Sequence, residues 1–453
     1  MMTTDHGSQR KGLRRKRSLT GQFLFSKTSS GLKEDKPVEV PDDFDELVKV
    51  FPDIKSQDSF IDQSLDVLKS SPSFGAMVIR IDQLKHKKRD VSQKEYMNHV
   101  RLDVADAIGW ICRKEKGMWG VIDRDFFGCF FPEKDKSACV KLAEKCKTKL
   151  SQKRDETVTI GIAAYPTLSF KKHQILENAR KAFDHALFFG PNSTVSFDAV
   201  SLNISGDKLY DTGDIKGAIK EFNKALLLDP SNVNVHNSLG VCHGMLGHYK
   251  KALKEFKSAI LLDPKDIMAL HNAGLTCKIT GDKTKAFEYF LRADRLDKDV
   301  FEVAFQTGRL YVEEKQPDNG LEYLEKAIKL KPESASAFSS LGECYASLDM
   351  IDQAFSAYKK AIKLNANDAD SLSALGVLFD AQGENLDIST LFCRQSVEIS
   401  PENGLFRYRL GKLYQKANKI EAALKEFEAA KKLGYDAMQE IKQIQNIENT
   451  GTS

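Results

Sequence analysis

The chain has 453 residues, enough for two or three domains, and 41% of them are hydrophobic, which suits a water-soluble helical protein. No apolar run reaches about 18 residues, so no membrane-spanning helix is expected, and residues 1–20 lack the apolar centre of a secretory signal. The net charge of +4 is uneven: residues 1–33 carry Arg10, Lys11, Arg14, Arg15, Lys16, Arg17, Lys27 and Lys33 against Asp5 alone, so that stretch is +7 and the remainder −3. The eight cysteines are scattered and none forms a C-x-x-C pair, so neither a zinc site nor a disulfide framework is indicated. They read as small buried hydrophobes in a reducing cytoplasm, and no cofactor is expected.

Residues 1–40 are rich in Ser, Thr, Lys, Arg and Gly and cannot bury enough apolar surface to order themselves, so they read as a disordered basic tail. The run Arg10–Arg17 either solubilises the chain or makes weak contact with anionic lipid or nucleic acid. Phe23, Leu24 and Phe25 are either a short docking motif or a stray apolar patch.

Residues 41–198 change texture. A helix over Asp58–Leu68 leads into a β-type run, Ala76–Ile81, and then a helix over Ser92–Cys112, with Val100, Val104, Ile108 and Ile111 near helical spacing. Strands over Gly117–Ile122 and Phe126–Phe131 flank Asp123-Arg124-Asp125 as a hairpin. A helix over Lys134–Leu150, a strand over Val158–Ala164, a helix over Lys172–Phe188 and a short strand over Thr194–Phe197 complete the domain. The order β-α-β-β-α-β predicts an α+β, ferredoxin-like domain. His99 and Asp103, one helical turn apart, read as a solvated pair or a shared metal contact. No nucleophile-elbow motif supports a hydrolase.

Several of these stretches resemble the GGDEF domain of diguanylate cyclases. Val50-Phe51-Pro52-Asp53 is similar to that family's opening segment, and Thr157–Ala163 (T-V-T-I-G-I-A) to its T-x-S-I-G-V-A strand. Ala179–Asn192 resembles its terminal helix, and Phe127–Pro132 the strand after its signature loop. The family's chemistry needs divalent metal held by carboxylates to neutralise a triphosphate, and the residues that would hold it are lost. Arg80 stands at the metal aspartate of the first strand, with Asp82 kept two residues on. Lys88 stands near the guanine-recognising asparagine, and Asp123-Arg124-Asp125-Phe126-Phe127 replaces the signature. Leu187 and Pro191 replace the phosphate-binding lysine and arginine, and Arg113–Gly117 has no inhibitory aspartate. The resemblance implies a degenerate domain without enzyme activity. The alternatives are another ferredoxin-like domain, or a cyclic-dinucleotide signalling protein, either a cyclase or a nucleotide receptor.

Residues 199–435 repeat. Pro230, Pro264, Lys298, Pro332 and Ala366 are spaced 34 residues apart, and Pro401 follows after 35. A glycine precedes each mark: Gly206, Gly240, Gly274, Gly308, Gly342 and Gly376, with Gly411 in the last unit. Twelve residues on comes Ala218, Ala252, Ala286, Gly320, Ala354 or Ala423, then an aromatic or leucine at Phe222, Phe256, Phe290, Leu324, Tyr358 or Phe427. An alanine follows at Ala225, Ala259, Ala293, Ala327, Ala361 or Ala430. The sixth unit is irregular around Glu384–Ile388. This pattern is similar to that of the tetratricopeptide family, with two antiparallel helices per repeat. The small residues sit where helices cross closely, the aromatic packs repeat on repeat, and the proline stops the second helix. Seven such hairpins, all-α, would stack as a right-handed α-solenoid with the first helices lining its concave side. Residues 436–453 would supply a capping helix, over Asp436–Ile447, and a loose tail.

By spacing, the partner-binding groove would present Asn203, Asp207, Asp211, Asn237, Val241, His271, Leu275, Lys278, Phe305, Arg309, Glu343, Asp370, Asp380, Tyr408, Lys412 and Lys416, each of which is otherwise an ordinary solvated residue. The family's asparagine ladder is met only by Asn272, and its basic carboxylate clamp is missing. Together these features predict a cytoplasmic, bacterial adaptor that holds a protein or peptide in a groove. It would act in signalling or assembly, and a homodimer is an open alternative.

Overall fold

The computed structural model describes residues 44–52, 54–55, 57–82, 91–123, 126–383 and 385–450. The basic tail, the Phe23–Phe25 patch, Lys88, Arg124, Asp125 and Glu384 lie outside them. The chain divides into two compact units, one ending at Pro264 and the other starting at Lys265.

The first unit opens with α1 (Phe44–Val50), α2 (Gln57–Leu68), β1 (Phe74–Ile81), α3 (Val91–Lys114), β2 (Met118–Asp123), β3 (Phe126–Pro132), α4 (Lys136–Ser151), β4 (Val158–Tyr165), α5 (Ile175–Ala186) and β5 (Thr194–Ser196). The strands form one sheet in the order β2-β3-β1-β4-β5. β1 is antiparallel to both β3 and β4, β2 is antiparallel to β3, and β5 runs parallel to β4. Alternation along β1 divides its side chains between the two faces. Met77, Ile79 and Ile81 join Val104, Ile108, Phe131 and Leu142 in one core. Phe74, Ala76 and Val78 join Phe60, Phe130, Ala179 and Phe183 in the other.

That second core runs on past Asp198 into α6 (Ala199–Asp211), α7 (Ile215–Leu228) and α8 (Val233–Met245), through Leu202, Phe222, Val235 and Leu239. Asp198 caps α6 by accepting from the Ser201 backbone N–H at 2.9 Å. The Lys181–Glu221 ion pair at 2.6 Å and the Lys208–Asp184 pair at 2.7 Å tie α5 to the first hairpin. With α9 (Tyr249–Leu262), the first unit thus holds two helical hairpins after the sheet.

The second unit holds five more hairpins: α10 (Ile267–Ile279) with α11 (Lys283–Leu296), α12 (Phe301–Glu313) with α13 (Pro317–Leu330), α14 (Ala335–Ser347) with α15 (Ile351–Leu364), α16 (Ala369–Ala381) with α17 (Leu386–Ile399), and α18 (Gly404–Lys416) with α19 (Ile420–Lys432). α20 (Met438–Thr450) follows and packs its Ile441 and Ile444 beside Phe427. Asp266, Ser334, Asp368 and Asn403 cap the first helices with their side chains.

Within each hairpin the repeat aromatic covers the glycine of its own unit. A Cβ on Gly274 would lie 2.7 Å from Phe290 Cε1, and one on Gly411 2.7 Å from Phe427 Cε1. The aromatic therefore serves its own hairpin first. In the irregular unit Cys393 replaces it, and a Cβ on Gly376 would lie 2.5 Å from the Cys393 Sγ.

The turn between paired helices is a further periodic position that the proline spacing did not reveal. Its backbone is left-handed at Gly213, Gly247, Gly281 and Gly383, but also at Lys315, Asp349 and Asn418. A non-glycine residue there costs roughly 1–2 kcal/mol. Lys315→Gly is therefore expected to raise the unfolding free energy measured by urea titration by up to about 1 kcal/mol, and no change would show that this turn is not strained.

Candidate functional site

In the second unit the first helices α10, α12, α14, α16 and α18 touch one another in turn, so one side of each contributes to a common face. Bonds between neighbouring first helices mark that face. Lys278 Nζ meets Glu313 Oε1 at 2.8 Å, Ser371 donates to Ser339 Oγ at 2.9 Å, and Lys416 Nζ meets Asp380 Oδ1 at 2.6 Å. Arg409 Nη1 donates to Ser373 Oγ at 3.0 Å. At the far end Tyr408 donates to Glu440 of α20 at 2.7 Å, and Lys412 lies 3.8 Å from the same carboxylate.

Lys278, Arg309, Glu343, Asp380, Tyr408 and Lys412 thus reach the surface of this unit. Phe305 does not: it is 9% exposed, packs among Ala304, Leu324, Ala337 and Leu341, and stacks on Phe301 at 5.5 Å. Its ring instead supports the Arg309 guanidinium, whose Cζ lies 5.6 Å away. His271 is also buried, with its ring 5.7 Å from that of Phe290. Burial pulls its imidazole down to about 4 and leaves it neutral at pH 7. Both residues fall on the inner side of their helices, where spacing alone cannot separate the groove edge from the hairpin seam.

In the first unit Val241 and Asn237 are buried and offer no side chain to a ligand. Asn203 Nδ2 donates to Asp207 at 3.4 Å and Ser238 Oγ to the same residue at 3.5 Å. Burial, and then neighbouring Asp211, push the Asp207 carboxyl up to about 7. Because the folded chain holds this proton more tightly than the unfolded one, stability falls as pH rises from about 4 to about 7. Asp207→Asn is expected to raise the melting temperature at pH 8, with the gain vanishing near pH 4. An equal gain at both pH values would contradict the assignment.

Spacing passed over Arg409 and Glu313, which the structure brings to the face. The one-residue slip before Pro401 obscures the register of Arg409, whereas Glu313 was legible as the position two turns after Phe305.

In the sheet domain, Arg80 points among aromatic rings. Its Cζ lies 4.9 Å from the Phe183 centroid and 5.5 Å from that of Phe126, while Arg180 Cζ lies 3.6 Å from Phe126. Burial lowers the Arg180 pKa. Asp82 is fully engaged, accepting from Thr157 Oγ1 and Thr159 Oγ1 at 2.6 Å each and from Asn192 N at 2.7 Å. Leu187 is exposed. His99 Nδ1 contacts Glu95 O at 2.7 Å, and Asp103 pairs with Arg154 and with Lys153, at 3.6 Å from the latter, so the two residues do not share a ligand. The buried thiols of Cys139 and Cys146 are pushed up to about 12, mainly by burial, which removes them as nucleophiles.

Family models of the tetratricopeptide repeat match residues 206–247, 233–266, 269–300 and 305–369. The C-terminal half of the chain is therefore a tetratricopeptide repeat array. It follows a mixed α/β domain with a five-stranded sheet. Among solved structures the chain is similar to MamA, at 27% identity over 38% of this chain and 93% of that one, with a TM-score of 0.34. It is also similar to YrrB, described as a tetratricopeptide protein with an unusual peptide-binding site, at 21% identity over 44% and 97% and a TM-score of 0.36. A third is PilF of Pseudomonas aeruginosa, at 20% identity over 49% and 96% and a TM-score of 0.43. No curated protein matches the chain.

Proposed function

We propose that the protein is an adaptor whose repeat array holds a protein or peptide partner on the first-helix face, and whose sheet domain is a ferredoxin-like, cyclase-derived module without catalysis. The observation that carries the first part is the continuous face of α10 to α18, with charged side chains at the surface of each helix. Tetratricopeptide repeats serve protein–protein interaction, and this face is their accessible inner side.

For the second part, the strand order β2-β3-β1-β4 with antiparallel neighbours supports the ferredoxin-like reading. Arg80, lodged over Phe126 and Phe183, occupies the position at which the cyclase resemblance requires a metal-binding carboxylate. A cation there repels metal. The expected outcome with GTP and Mg²⁺ or Mn²⁺ is no cyclic dinucleotide. Product above a protein-free blank, abolished by Asp125→Ala, would overturn it and favour the signalling-enzyme alternative.

Localisation in the cytoplasm and weak contact of the tail with polyanions belong to the same proposal. Deletion of residues 1–33 is expected to abolish low-salt binding to anionic vesicles, since each basic residue near such a surface contributes about 1 kcal/mol.

A further inference from the structure

We infer that the second helix α11 borders a separate docking groove, which takes an extended peptide carrying a carboxylate and, two and four residues from it, apolar side chains. This surface is distinct from the first-helix face and does not depend on it. The groove has a volume of about 560 Å³, and its lining includes Lys283, Phe287, Leu291, Arg292 and Arg295 of α11 with Glu314 from the turn after α12. That volume lies within the usual range of ligand sites. Phe287, Leu291 and Arg295 follow one another at one-turn intervals, so a single stripe of α11 faces the groove. Phe287 and Leu291 are half-buried. The Phe287 ring lies 4.7 Å from that of Tyr311 on α12, which in turn lies 5.8 Å from that of Tyr323 on α13. Aromatic side chains of three successive helices thus back the apolar part of the groove.

The charges along the groove are unevenly matched. At one end Lys283 forms an ion pair with Glu314. In the middle Glu288, also in the lining, stands one turn before Arg292, the spacing and order at which a helical carboxylate and a guanidinium offset each other. Asp294, next to Arg295, is taken by Lys326 of α13 at 2.7 Å. Arg295 itself is exposed and, among the described residues, makes no ion pair. One guanidinium is therefore left at the end of the apolar stripe, and its planar fork matches a carboxylate through two parallel hydrogen bonds. The helix rise sets Leu291 about 6 Å and Phe287 about 12 Å from Arg295 along the axis. An extended chain advances about 3.3 Å per residue and points alternate side chains the same way. Residues two and four positions from the ligand carboxylate would accordingly face Leu291 and Phe287. A basic ligand would meet like charge at Arg295, so the groove selects an acidic one.

The test is selection of a displayed random peptide library on the full chain, followed by fluorescence anisotropy with a synthesised enriched peptide. The expected result is enrichment of Asp or Glu with apolar residues two and four positions away. That peptide should bind Arg295→Glu at least tenfold more weakly, and Lys363→Gln, on α15, equally well. Arg295→Glu should melt as the wild type does, because the side chain is exposed and unpaired; should it melt lower, Arg295→Gln is measured in its place with the same loss of binding expected. The peptide with its acid changed to lysine should bind Arg295→Glu and not the wild type, an exchange that a merely structural role would not produce. Enrichment without an acid would overturn the inference. So would an unchanged affinity for Arg295→Glu, and a simultaneous loss in Arg309→Ala would then place the ligand on the first-helix face instead. No enrichment at all would overturn it as well.

Discussion

Gly161→Ala is expected to destabilise the sheet domain by at least about 3 kcal/mol, the upper end of the usual cost of overpacking. Gly161 lies in the centre of β4, paired with Val78 of β1 on one side and Val195 of β5 on the other. A Cβ there would lie 2.1 Å from Ala179 O and 2.2 Å from Phe183 N. Both are backbone atoms of α5, so no rotamer relieves the clash. The helix would have to leave the sheet, carrying with it the Lys181–Glu221 and Lys208–Asp184 pairs to the first hairpin. Urea unfolding followed by circular dichroism measures the loss. A wild-type midpoint would show that α5 does not pack on Gly161.

The second large effect is expected from Phe290→Ala, at about 3–5 kcal/mol. The ring is wholly buried and fills the space above Gly274 in the α10–α11 hairpin, so truncation removes apolar contact and leaves a cavity. Stability in a repeat array sums local and neighbour terms, so the loss should appear as an earlier partial unfolding rather than a uniform shift. Arg309→Ala, by contrast, should leave the melting temperature nearly unchanged. Phe305→Ala should lower it, because its ring lies in the core of the α12–α13 and α14 contact rather than in the groove. Equal melting of the two variants would restore Phe305 to the surface.

Much of the fold was legible because its signals are periodic. The spacing of Gly240, Phe256 and Ala259 recurs often enough to fix each hairpin, and the helices and strands of residues 41–198 fall within a few residues of their expected bounds. What spacing could not supply is direction at the edge of a helical stripe. His271 and Phe305 share a register position with Tyr408 once the inserted residue is counted, yet the first two are buried and Tyr408 reaches Glu440. Packing against the partner helix decides this, and it depends on the size of residues elsewhere in the hairpin. The short helix α1 was missed because Phe44–Val50 is only seven residues long, too short for a helical period to show.

The most direct measurement of the central claim is site-specific photocrosslinking in a lysate of the source cells. A photoreactive residue is placed at Glu343 or Lys412 on the first-helix face and, as controls, at the exposed Lys329 and Lys363 on second helices. The adaptor reading predicts one discrete crosslinked product at the first pair of positions and none at the second pair. Crosslinks confined to Lys329 and Lys363 would contradict it.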